Sequence, residues 1–122
     1  MRERRPAIDD VRHEPVAEPP RLTWDQALAW RLARHRLVGR AAPADLIRLV
    51  GELAGVHAQV KSSAELSLWA RIDGLDRAAV ERALWTDRTL VKLWAMRGTL
   101  HLLPADDLDV WLAALEIGRA HV

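Results

Sequence analysis

Residues 90–103, LVKLWAMRGTLHLL, decide how this chain is read. Apolar residues alternate loosely with Lys92, Arg97, Thr99 and His101 across the single Gly98. Such alternation, interrupted by one glycine, predicts two short strands joined by a tight turn. The residues on both sides carry helical periodicity instead. The predicted fold is therefore mainly α with one β-hairpin. A small helical domain with a basic residue at its hairpin turn has the plan of a winged helix. In that plan Lys92 and Arg97 stand where a phosphate backbone can be met. A hairpin with a purely structural role fits the same alternation.

Working outward, Asp76 is placed to cap a helix that runs to Trp85, with Val80, Ala83 and Leu84 inward. An earlier helix is predicted to begin at Ser62 or Ser63, because Ser62-Ser63-Ala64-Glu65 has the spacing of a capping box. Pro43 opens a helix over Ala44–Leu53, which Gly51 weakens and Gly55 stops. The first helix starts at Thr23, where Thr23-Trp24-Asp25-Gln26 forms a second capping box, and its region ends at Gly39. Its stripe of Trp24, Leu28 and Leu32 is expected to face a core. The cluster Arg31, Arg34, His35, Arg36 and Arg40 either complements the end of that helix or contacts phosphate. Beyond the hairpin, Pro104 opens a last helix over Ala105–Leu115. Asp106, Asp107 and Asp109 lie in its first turns, where carboxylates complement exposed amides.

With 122 residues, half of them hydrophobic, the chain can bury one sizeable core. Six tryptophans carry all the aromatic content; Trp24 and Trp30 share the first predicted helix and the other four fall in separate later elements, a spread that predicts buried anchors, with base stacking the other use of such residues. A net charge of only +1 argues against binding DNA by bulk charge, though a local basic face remains open. The lack of cysteine excludes disulfides, thiolate nucleophiles and cysteine-based metal centres. No apolar run approaches the roughly 18 residues of a membrane span, and the N-terminus lacks an apolar signal core. A cytoplasmic, monomeric protein with no membrane association and no cofactor is the expectation. Met1–Arg21 holds four prolines and balanced charges with no apolar period, and reads as a disordered leader.

The densest polar group outside the leader is His57, Gln59, Lys61, Ser62 and Ser63. In an extended segment His57 and Gln59 point the same way. An imidazole beside an amide can position one water or read one base edge. Lys61, Ser62 and Ser63 add donors to the free amides of the following helix, which suits a phosphate. An interior His57 satisfied locally, with Gln59 and the serines capping backbone, is the competing reading. His101 shares a strand face with Thr99, and with His57 it supplies only an incomplete metal site.

GVHAQVKSSAELSLWAR together with DRTLVKLWAMRGTLHLLPADDL resembles the N-terminal part of the winged helix DNA-binding domain family, which includes bacterial DNA glycosylases of the AlkZ-like type. The resemblance spans roughly residues 22–115, and MRGTLHLLP is its more specific part. It implies the first winged-helix-type unit of a tandem winged-helix protein, truncated and inactive by itself. The partners it implies are double-stranded DNA and the remaining winged-helix domains. The activity it implies is excision of alkylated or damaged bases; a non-catalytic DNA-binding or scaffold module is the alternative. Within the resemblance, His57-Ala58-Gln59 matches a catalytic motif of a polar residue, an apolar residue, then Gln or Asp, with His57 a departure from the Gln found in its glycosylases. Gln59 and His57 are thus the expected catalytic residues. Arg97, Lys92, Lys61, Ser62, Ser63, Thr99 and His101 are the expected DNA contacts. Residues 116–122, EIGRAHV, depart from the family pattern and look like a translated sequencing adapter, so they read as a non-native tail.

Overall fold

The structure is a computed structural model and describes residues 18–119, apart from the side chain of Arg119. Most of the expected leader and the last three residues of the expected tail lie outside the described residues. The elements are α1 (Trp24–Arg34), α2 (Leu46–Glu52), β1 (Val56–His57), α3 (Lys61–Trp69), α4 (Ala79–Trp85), β2 (Leu90–Trp94), β3 (Leu100–Pro104) and α5 (Leu108–Arg119). The architecture is mainly helical, with a small antiparallel sheet of order β1-β3-β2. The hairpin is present as expected. The third strand, β1, is an addition to it.

Local chemistry explains most boundaries. At the start of α1 the Gln26 amide donates to Thr23 Oγ1 at 3.2 Å and the Thr23 amide donates to Gln26 Oε1 at 3.0 Å. This is the capping box read from the sequence, and it satisfies two of the helix's unpaired amides. The capping box expected at Ser62-Ser63-Ala64-Glu65 does not form. The helix starts one residue earlier, at Lys61, behind Val60, and no side chain caps it. Asp76 accepts from the Ala78 amide at 3.3 Å, so it shapes the approach to α4 rather than its first residue.

The core joins α2, α3 and α4 to the sheet through Leu49, Val50, Leu68, Val80, Leu90 and Leu102, all nearly inaccessible. β3 is buried from His101 to Pro104: β1 and β2 pair with its two edges, and α2 packs against it. Gly51, a poor helix former, lets α2 lie close to it: a Cβ there would stand 3.3 Å from Pro104 Cγ.

The tryptophans correct an expectation. Trp24, Trp30, Trp85 and Trp94 are exposed, Trp24 by 89%. Aliphatic side chains of α2–α4 and the sheet fill the core. No residue of α1 is buried: Trp24 and Leu28 of its apolar stripe are exposed and Leu32 is half-buried. The last helix continues past Leu115 to Arg119, with Val110, Leu112 and Ile117 exposed.

Two carboxylates give the fold an acid sensitivity. The hydrogen bond from Arg48 holds Asp45 below the ordinary carboxylate range, and the hydrogen bond from Arg82 does the same for Asp76. A carboxyl whose folded pKa is depressed contributes stability at neutral pH that is lost as pH falls through that folded value. Replacing both with asparagine is expected to flatten the melting-temperature profile below about pH 4. At pH 7 the change should be small, because both ion pairs are exposed. An unchanged acid limb would remove these pairs from the account.

Candidate functional site

The end of α2 sets the site. The Gly55 amide donates to the Val50 carbonyl and the Ala54 amide to the Gly51 carbonyl, both at 2.9 Å. These two bonds form a Schellman motif. Its left-handed residue is Ala54, with φ 57°, and Gly55 follows at φ 95°. The sequence reading assigned the stop to Gly55, one residue late. This turn sends the chain into β1.

Along β1 and just past it, Val56 and Ala58 are buried while His57 and Gln59 are exposed. Both candidate catalytic side chains therefore leave by the same face, as the two-residue spacing implied. The Ala58 amide donates to the Leu100 carbonyl at 2.7 Å. The Leu100 amide donates to Gln59 Oε1 at 3.2 Å, so the side chain takes the place of the next ladder bond. That bond also fixes the amide orientation, because only the oxygen can accept. One lone pair of Oε1 and the whole NH2 group remain available.

His57 lies in register with His101 on β3. Their rings meet edge to face, with centroids 5.5 Å apart. His101 is nearly buried, and its Nδ1–H donates to the Thr99 carbonyl at 2.9 Å, which leaves Nε2 as the ring's free nitrogen. The hairpin tip supplies the rest. Arg97 has φ 57° and ψ 22°, and Gly98 has φ 65°. Two consecutive left-handed residues match a type I′ turn, closed by the Thr99 amide donating to the Met96 carbonyl at 3.2 Å. Arg97 is exposed and has no ion pair among the described residues. His57, Met96, Arg97, Thr99 and His101 line an open cleft of about 490 Å³.

Lys92 and Lys61 stand apart from this cleft. Lys92 is in register with Leu102, and so projects from the sheet face opposite to His57 and His101. There it borders a small cavity with Lys61. Lys61 faces Glu81 at 3.1 Å and Glu65 at 3.8 Å, which offsets much of its charge. Ser62 and Ser63 occupy the first turn of α3, and Ser63 borders a second cleft beside His57. Sequence reasoning passed over two residues of that second cleft, Ser67 and Arg71, because no motif marks them.

Residues 50–121 match the family described as DNA glycosylase AlkZ-like, and the match takes in most of the segment read as a tail. An interstrand DNA cross-link repair glycosylase of Streptomyces sahachiroi is 43% identical over 93 residues, covering 76% of this chain and 24% of that protein. Among solved structures, the Streptomyces sahachiroi DNA glycosylase AlkZ superposes with a TM-score of 0.69 at 43% identity, over 76% of this chain and 24% of that one. The chain thus spans about a quarter of the length of the relative it matches. By both sequence and fold, it belongs to the AlkZ-like DNA glycosylase family.

Proposed function

We propose that this chain is the DNA-engaging, motif-bearing unit of a glycosylase-like repair protein that acts on alkylated or damaged bases in duplex DNA. One observation carries the reading: β1 and the residues just past it present His57 and Gln59 on one face, beside the open cleft that Arg97 lines. Excision needs a water held against the sugar C1′ while positive charge develops on the sugar and the base departs. The free lone pair of Gln59 Oε1 accepts a hydrogen bond from that water and aims its oxygen. His57 orients the same water or takes its proton as the C–O bond forms. His101, with Nδ1–H committed to Thr99, supports the His57 ring.

In this reading the unit is of the winged-helix type and its hairpin approaches the duplex. Arg97 reaches phosphate or the minor groove. Thr99 and His101 line the approach, and Ser62 and Ser63 flank it from α3. Lys92 and Lys61 meet the backbone only where the duplex passes the far edge of the sheet. The exposed apolar faces of α1 and α5 are the surfaces that further winged-helix units would cover.

A non-catalytic DNA-binding or scaffold module is the second reading. The bond between Gln59 and the Leu100 amide favours it, since a purely structural glutamine makes the same contact. The two readings separate in a chimera in which this chain replaces the matched segment of the Streptomyces relative, assayed for base release from alkylated duplex DNA. The DNA contact itself is tested by Arg97→Ala in that chimera. Binding should weaken on every duplex, and the slope of log affinity against log salt should fall by about one. An unchanged slope with a lower melting temperature would make Arg97 structural.

A further inference from the structure

His57 also borders a second cleft, of about 330 Å³, together with His35, Ser63, Ser67 and Arg71. Among the described residues no acidic side chain lines it. Arg71 is the unusual member. Its Nη1 donates to the Ser67 carbonyl at 2.8 Å and to Ser67 Oγ at 2.9 Å. Its backbone is held as well, with the Ala41 amide donating to its carbonyl at 2.8 Å. Its Nε is sealed from solvent and has no hydrogen-bond partner among the described residues.

Several other arginines are ion-paired: Arg40 with Asp73, Arg48 with Asp45 and Glu52, Arg82 with Asp76. Arg71 has no ion pair among the described residues. A half-buried guanidinium pinned in place without a counter-charge is costly unless an anion completes it. With Nη1 committed to Ser67 and Nε sealed, the donors of Nη2 are the ones left for an oxyanion in the cleft. Ser67 spends a lone pair on Arg71, so its hydroxyl proton is free to donate, and Ser63 and His35 offer further donors.

We propose that this cleft binds a phosphate group of a DNA strand, with Arg71 as the anchoring cation and Ser63, Ser67 and His35 as further donors. The DNA origin of the phosphate rests on the function proposed above; the oxyanion site does not. A phosphate seated here fixes the strand on one side of His57, while the Arg97 cleft lies on its other border. Arg71 is then a positioning residue, which sets where the sugar meets His57 and Gln59.

The test is an NMR titration of the 15N-labelled chain, reading the arginine Nε–H signals and the amides of Ser63 and Ser67. Inorganic phosphate should shift the Arg71 Nε–H and both amides saturably, and chloride at equal ionic strength should not. Arg71→Gln should weaken phosphate binding about tenfold or more. Ser67→Ala, a milder change, should weaken it in the same direction, and the unsubstituted chain is decisive if Arg71→Gln fails to fold. A duplex oligonucleotide should shift the same signals and compete with phosphate. Absence of a saturable phosphate response overturns the site. Phosphate binding without a duplex response overturns the DNA origin and leaves the oxyanion site standing. Duplex shifts that persist unchanged in Arg71→Gln overturn the role of Arg71.

Discussion

Gln59→Ala, introduced into the chimera with the Streptomyces relative, is expected to lower base release by about 100- to 1000-fold, the usual scale for removing a group that orients or deprotonates a reacting water. His57→Ala should cost less. The asymmetry follows from the geometry. Gln59 is oriented by its bond from the Leu100 amide, and nothing nearby reproduces its free lone pair. His57 has a second imidazole 5.5 Å away, ring centre to ring centre, and His101 can hold part of the water's shell when His57 is gone. Single-turnover time courses on alkylated duplex DNA measure both. A Gln59→Ala chimera with full activity and unchanged DNA affinity would put the non-catalytic module ahead.

Gly55→Ala should be the most damaging single methyl in the domain. A Cβ at this position would stand 2.6 Å from Leu103 Cδ2 and 3.2 Å from the Leu102 carbonyl oxygen. Leu103 is fully buried, so it has nowhere to retreat. The backbone there also has φ 95°, which an L side chain resists. Overpacking costs about 1–3 kcal/mol and the backbone strain adds roughly 1–2 kcal/mol. Against a net stability of about 5–15 kcal/mol for a typical domain, that sum is severe. The melting temperature should fall by about 10 °C or more. Because Gly55 leads directly into β1, the His57–His101 pairing should loosen with it, visible in the imidazole resonances. A melt within a degree or two of the parent chain would show that α2 shifts freely over β3.

Local signals in the sequence were the reliable ones. Alternation around Gly98 placed the hairpin, and Thr23 with Gln26 placed the start of α1. The two-residue spacing of His57 and Gln59 put both on one face. What failed needed partners distant in the chain. β1 has two residues, too few for any periodicity, and exists because β3 offers it an edge. Which face carries Lys92 depends on its register with Leu102, which alternation alone does not set. The apolar stripe of α1 was read as inward because amphipathicity reports a preference for cover, not the cover itself. The left-handed residue ending α2 is an alanine, so composition pointed to the next residue, Gly55. Arg71 and His57 meet only through the packing of α3 beside β1, and neither carries a periodic signal for that.

Ala54 and Arg97 share one backbone state, with φ 57° at both. Glycine would relieve each by about 1 kcal/mol, the ordinary difference between glycine and an L residue there. For an engineer they are opposite opportunities. A library selected on heat resistance alone would favour glycine at both positions and report two successes. At Ala54 the gain removes no functional side chain, since its methyl lines neither cleft, although Leu53 and Gly55 on either side of it line the second. At Arg97 it removes the uncompensated charge at the tip of the hairpin. Stabilisation campaigns on this scaffold should therefore take the substitution at position 54 and hold position 97 fixed.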